Sequence, residues 1–327
     1  MENKYKFGAM VKQSNFLTSS KFDLSSLELN ILFALLYEMK IQRYQGNFFI
    51  IDLAPLLELS GNQKYKLVEA GRSLTRRNYE YYKLTANNTK RLVIVNFISS
   101  VEFQDNKLIC EVSENIMSEY KNLEQFTEFE VKTALVVSSK YTKRIYTMLS
   151  QFRNSKENRN DKGNPMFYIG VNDLRERLGL IDKHGKVHLP QWTEFKKTVL
   201  DVAKRQLDQE NTDLTFNWGI AQKSGKKITA LSFEIINKIN LIPEFDKARE
   251  MLANMELAKW QIEIIINNIN VSDVYQANVL YKQLNYPAGK IHNPGAYMAK
   301  YFANKFNLPE LLGNTNKTEN ENITIPQ

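Results

Sequence analysis

Catalysis has little to draw on in this sequence of 327 residues, which holds three histidines and a single cysteine. His184 and His188 stand four apart in HGKVH, a spacing that would align two metal ligands on a helix. Gly185 between them works against that helix, and no acidic or Cys partner follows at metal-ligand spacing, so the pair reads as a surface loop. Two histidines flanking one apolar residue, with a tyrosine nucleophile beyond, would mark a metal-dependent nicking enzyme, and that arrangement is missing, as are GxxxxGK[ST] and GxGxxG. Cys110 by itself builds neither a disulfide nor a thiolate zinc site. The carboxylates form no pair that stands out from helix-surface charge. The expectation is a binding protein, not an enzyme, with no cofactor and no metal.

What the chain can do is hold a polyanion. Its 44 Lys+Arg exceed its 36 Asp+Glu by eight charges. Residues 1 to 137 are close to balanced (17 against 16), as are residues 241 to 327 (8 against 9), whereas residues 138 to 240 carry 19 against 11. The whole excess therefore sits in one segment of about a hundred residues, either as a solvated basic surface or as a phosphate-binding one.

The elements around those cations suggest how they are presented. Ser25 or Ser26 can cap a helix through LELNILFALLYEMK, in which Leu27, Ile31, Leu35 and Met39 recur at helical spacing. FFIID is extended, Leu53 to Leu59 is a brief helix, and NQKYKLVEAGRSLTRR reads as a third helix with a basic face. The runs RLVIVNFISSVEF and KLICEVS then suggest a hairpin. Three helices followed by a hairpin is the order of a winged helix. The order recurs: KYTKRIYTMLSQF, the strand FYIGV, the helix VNDLRERLGL with Asn172 as its cap, the helix QWTEFKKTVLDVAKRQL, and a hairpin joined at Lys223-Ser224-Gly225. The expected fold class is α+β. Its domains are a winged helix over 1–137, a basic winged helix over 138–240, a small α-helical domain over 241–312 and a disordered tail over 313–327. No apolar run approaches a membrane span, and no apolar stretch follows the first lysines as in a secretory signal. The expected location is the cytoplasm, with no membrane partner.

With these motifs in place the chain resembles the plasmid replication initiator (Rep) proteins of the iteron-binding, theta-type class, which are built from two tandem winged helices. The similarity lies in KQSNFL and DLSSLELNIL, and more densely in KYTKRIYTML, DLRERLGL, FKKTVLDVA and SGKKITALSF, in the family's order. The resemblance covers about residues 10 to 240. It implies a protein that binds repeated double-stranded origin sites as a monomer, represses its own promoter as a dimer, and reads DNA mainly with the second winged helix. The first would assist or dimerise. The alternative is a tandem winged-helix transcriptional regulator without a replication role.

On a helical wheel Trp192, Phe195, Val199, Val202 and Ala203 form the inward stripe of the expected recognition helix. Thr193, Glu194, Lys197, Asp201 and Lys204 face away. Gln191, Thr193 and Lys197, near the helix N-terminus, are the expected base readers, and Lys196 sits where its stem packs and its ammonium reaches a phosphate. Phosphate contacts are expected from Lys140, Lys143 and Arg144, from Arg175 and Arg177, and from Lys223, Lys226 and Lys227 on the wing. An auxiliary DNA contact is expected from Lys64, Lys66, Arg72, Arg76 and Arg77 in the first domain. The helix Leu27 to Met39, apolar over more than one face, can serve the core or a dimer interface. The segment 241–312, with its aromatic Tyr297, Tyr301 and Phe302, is a candidate for recruiting a host replicative helicase or initiator.

Overall fold

The computed structural model describes residues 5, 8–42, 46–84, 87, 89–121, 125–209, 211–238, 243–269, 271–285 and 291–313. The expected tail, 313–327, lies outside them apart from Gly313. The chain divides into two compact units, residues 1–239 and 240–327. No helix among the described residues is long and apolar enough to cross a membrane.

The first unit opens with β1 (Met10–Ser14), α1 (Asn15–Ser19), α2 (Ser26–Ile41), β2 (Phe48–Asp52), α3 (Leu53–Leu59) and α4 (Lys64–Leu74). Then follow β3 (Asn78–Leu84), β4 (Lys90–Asn96), β5 (Ser100–Gln104), β6 (Lys107–Glu111), α5 (Glu114–Lys121), β7 (Phe126–Glu130) and α6 (Val131–Val136). Ser25 and Glu28 close a capping box on α2, the Ser25 N–H donating to Glu28 Oε2 at 2.6 Å and the Glu28 N–H to Ser25 Oγ at 3.2 Å. The helix is buried on almost every side, through Leu29, Ile31, Leu32, Phe33, Leu35, Leu36 and Met39. Its excess of apolar residues therefore serves the core, and the dimer-interface role considered for it is corrected.

Within the same unit the order repeats as α7 (Lys140–Phe152), β8 (Met166–Gly170), α8 (Val171–Arg177), α9 and a hairpin of β9 (Leu214–Ser224) and β10 (Lys227–Asn237). Helix α9 runs without a break through Trp192–Phe195, a π-helical turn Lys196–Leu200, and Asp201–Leu207. The two three-stranded sheets share a topology: β2-β6-β5 in the first half and β8-β10-β9 in the second. In each, the strand between the first two helices pairs with the last strand of the wing. Both halves are thus winged helices. The run RLVIVNFISSVEF splits into β4, which pairs with an unforeseen β3 (Tyr82 opposite Leu92), and β5, which pairs with β6. Helix α8 begins at Val171 after Gly170, so Asn172 is inside its first turn and is not the expected cap.

The two winged helices share one continuous core from Tyr5 to Ile235. Helix α7 is buried from Thr142 to Ser150 because both halves pack on it. Close approach is enforced at Gly179, whose φ of +69° is left-handed and where a Cβ would stand 2.7 Å from that of Asp23.

The second unit is helical among its described residues: Pro243–Asn254, Lys259–Asn268, Val271–Leu284, Pro294–Phe306 and a 3-10 turn Pro309–Leu312. Asn293 caps the fourth helix, accepting from the Ala296 N–H at 3.0 Å, and Pro294 occupies its first turn. Met298, Ala299 and Phe302 face its core, and Tyr297 and Tyr301 are half-buried.

Candidate nucleic-acid interface

Helix α9 does not keep the simple wheel. Its buried residues are Phe195, Val199, Leu200, Ala203 and Leu207, whereas Trp192 and Val202 are only half-buried. The π turn explains the difference, since it inserts an extra residue and lets the neighbours Val199 and Leu200 both face the core. Lys196 Nζ pairs with Asp201 Oδ2 at 2.8 Å, five residues on, the spacing that a π turn brings together. The Lys196 ammonium also lies 5.7 Å from the centre of the Trp218 ring. Lys196 is thus held by the protein where a phosphate contact is expected, and Lys204 is likewise paired, with Asp208.

The N-terminal half of α9 presents Gln191, Thr193, Glu194 and Lys197 to solvent. Lys197 makes no ion pair or side-chain hydrogen bond with the described residues. Trp192 anchors this end, meeting Trp218 edge-on at 6.2 Å and Phe195 at 5.9 Å. Arg175 stacks 4.9 Å from the Phe195 ring and donates to the carbonyls of Leu189 at 3.3 Å and Pro190 at 3.1 Å. Its guanidinium fastens the chain entering α9. Arg177 is engaged in a two-pronged pair with Asp173 at 3.1 and 3.0 Å.

Two expected phosphate ligands are corrected. Lys143 is wholly buried and donates to the carbonyls of Ala134 at 2.5 Å and Leu135 at 3.2 Å. Burial pulls its ammonium down to about 7. Arg144 is buried too, 3.8 Å from the Phe22 ring centre, and donates to the Ser20 carbonyl at 2.7 Å. Burial, with the Arg177 charge adding to it, lowers its guanidinium to about 9. Both belong to the seam between the winged helices and cannot reach DNA. Lys140, on the same helix, pairs with Asp23 at 2.5 Å. On the wing Lys223, Lys226 and Lys227 are exposed around a two-residue turn, Gly225-Lys226, where Gly225 takes a φ of +59°.

In the first winged helix Lys64 donates to the Asp105 carbonyl at 2.9 Å, Arg72 pairs with Glu69 at 2.9 Å and Arg77 with Glu28 at 3.3 Å. Lys66 and Arg76 are exposed. In the second, Lys183, Lys186 and Arg205 are exposed without an ion pair to the described residues, and the sequence reading does not single them out. For Lys186 the signal is HGKVH itself, which that reading weighs only for metal.

Behind this surface lies a buried polar network that joins the two halves. Glu130 accepts from the Gly8 N–H at 2.7 Å and the Thr133 hydroxyl at 2.6 Å. Tyr146 donates its hydroxyl to Asp213 Oδ1 at 2.8 Å, and Arg153 donates to Asp213 Oδ2 at 2.6 Å. Burial raises the Glu130 carboxyl above the usual range, and the nearby Asp213 charge adds to the rise.

Two winged helices in tandem on one core, with unpaired lysines exposed on α9 and on the wing, define a tandem winged-helix protein. Residues 10–150 match the family described as Initiator Replication protein, WH1, and residues 170–235 that described as Initiator Rep protein, WH2. The chain belongs to this replication initiator (Rep) family. It is 24% identical over 163 residues to the PI protein of Escherichia coli, a match covering 46% of this chain and 52% of that protein. The chain thus matches about half the length of this curated relative. The crystal structure of Pi initiator protein in complex with iteron DNA superposes with a TM-score of 0.56 at 21% identity, covering 71% of this chain and 98% of that chain. That likeness speaks for the fold.

Proposed function

We propose that the protein is a plasmid replication initiator that binds repeated duplex sites at an origin, with α9 in the major groove and the β9–β10 wing on the flanking backbone. The observation that carries this reading is the placement of unpaired cations. Among the cations of residues 138 to 240, Lys143 and Arg144 are buried on backbone carbonyls, and Arg153, Arg177, Lys196 and Lys204 pair with acids of the same segment, so most of the excess rests on other side chains. The lysines left over include Lys197 on α9 and Lys223, Lys226 and Lys227 on the wing. Family membership supports the reading, and so does the relative whose structure holds iteron DNA. Gln191, Thr193 and Lys197 are the base readers, and the wing lysines hold phosphates.

The proposal extends to a second copy of the chain. The β3–β4 hairpin leaves Tyr82, Leu92 and Ile94 exposed on one face, an apolar patch that suits a dimer contact better than α2 does. As in the resemblance, the dimer would repress and the monomer would engage the origin. The helical unit after residue 240 is assigned to recruitment of host replication factors, and the first winged helix to auxiliary DNA contact through Lys66 and Arg76.

Footprinting of the purified protein over the DNA beside its gene tests the central reading. Several protected direct repeats spaced by about two helical turns are expected. A single protected inverted repeat at the promoter would instead mark a plain regulator.

A further inference from the structure

The link between α8 and α9 is longer than a helix-turn-helix needs. That turn takes about three or four residues, whereas here the chain runs from Leu178 to Gln191 before α9 begins. The extra residues are not slack. Ile181 bridges Val187, the Asp182 N–H donates to the Lys186 carbonyl at 3.1 Å, and the Gly185 N–H donates to the Asp182 carbonyl at 3.0 Å. Asp182 Oδ1 gathers the N–H groups of His184 at 2.9 Å and Lys186 at 3.0 Å. Gly185, with a φ of +78°, turns the corner. The result is a small pre-shaped hairpin in which the N–H groups of Asp182, His184, Gly185 and Lys186 are all bonded internally.

Its base is fastened to the reading helix. The His188 N–H donates to the Leu180 carbonyl at 2.7 Å, and Arg175 holds the Leu189 and Pro190 carbonyls while stacking on Phe195 of α9. Hairpin and helix N-terminus are therefore one mechanical piece. At the hairpin's tip Lys183 and Lys186 are exposed and without an ion pair to the described residues. A merely solubilising loop needs neither the internal ordering nor the anchor, and ordering a loop costs conformational entropy.

We propose that the hairpin 181–188 is a third DNA-contacting element, in which Lys183 and Lys186 hold backbone phosphates beside the bases read by α9. This rests on the reading of α9 as the recognition helix. Because a recognition helix enters the major groove by its N-terminal residues, a rigid protrusion at that end borders the sugar-phosphate backbone. The contacts would fix register and carry no sequence information. Arg175 is then a positioning residue that acts through the Leu189 and Pro190 carbonyls.

The test uses the full chain and two double variants, Lys183→Ala with Lys186→Ala and Lys183→Arg with Lys186→Arg. Binding is measured over a salt series on the footprinted site and on a random duplex of equal length. With alanines, affinity for both duplexes is expected to fall together and the slope of log K against log salt to lose about 1.8, the loss for two phosphate contacts. The arginine variant is expected to keep the parent slope. An unchanged slope with alanines, or an arginine variant that falls with the alanine one, overturns the proposal. If the parent binds both duplexes equally, the origin-binding reading fails, while the slope on random duplex still decides the hairpin's role. If the parent binds no duplex, both readings fall.

Discussion

At the scale of single residues the lysines of α9 separate by partner. Lys196 and Lys204 are neutralised by Asp201 and Asp208, whereas Lys197 is exposed and unpaired in the half of the helix proposed to meet bases. Lys197→Ala should cost about 1 to 3 kcal/mol on the specific site and relax the preference at one base position. Competition against single-base variants of the site checks this, and equal losses on specific and random duplexes would refute it. Glu130 supports a second prediction. Its folded carboxyl is raised by burial and by Asp213, so it keeps its proton at pH values where the unfolded chain has released one. The folded state then binds more protons than the unfolded state, and stability falls as pH rises above the ordinary carboxylate range. Glu130→Gln removes that loss. Urea titrations at pH 5 and pH 8 should show the parent losing more stability between the two than the variant does. Parallel losses would place the proton elsewhere.

At the scale of elements much of the fold is legible in the sequence, for local reasons. The Ser25-Glu28 box fixes the start of α2, apolar spacing gives α4 and α7, and Gly225 marks the wing turn. The repeated helix-strand-helix-helix-hairpin order is also readable, because each element carries its own period. What escapes is set by long-range contact. Strand β1 exists through its pairing with β7, Val11 opposite Phe129, a partner more than a hundred residues away. The burial of Lys143 and Arg144 is equally invisible to a charge count, since their carbonyl partners come from packing of the first winged helix. The π turn hides too, because Val199 and Leu200 look like one inward residue and one lateral one on a regular wheel. For the interface, residue types alone place the wing correctly at the surface. Lys226→Ala with Lys227→Ala should weaken binding to all sequences alike and lessen the salt slope by about two. A variant that lost specificity while its slope held would remove the wing from the phosphate role.

At the scale of the whole molecule the position of a cut decides what survives. The charge distribution suggests a separable segment at 138–240, yet residues 1–239 form one compact unit with one core. Cutting at residue 137 removes the Ser20 carbonyl from Arg144, the Ala134 and Leu135 carbonyls from Lys143, and Glu130 from the network around Asp213. It also strips one side of α7, which is buried from Thr142 to Ser150. Apolar burial is worth about 25 cal/mol per Å², and a small domain has only about 5 to 15 kcal/mol to lose. The isolated 138–240 segment should therefore unfold or aggregate, despite holding nearly all the proposed DNA ligands. A chain ending at Asn240 leaves that core whole, so it should fold cooperatively and bind the footprinted site within about threefold of the full chain. If such a chain also starts replication at the origin, the helical unit after residue 240 does not recruit host factors. If it binds but fails to start replication, that unit carries the step after binding. Thermal unfolding of the two fragments, followed by binding and a plasmid maintenance assay, separates these outcomes.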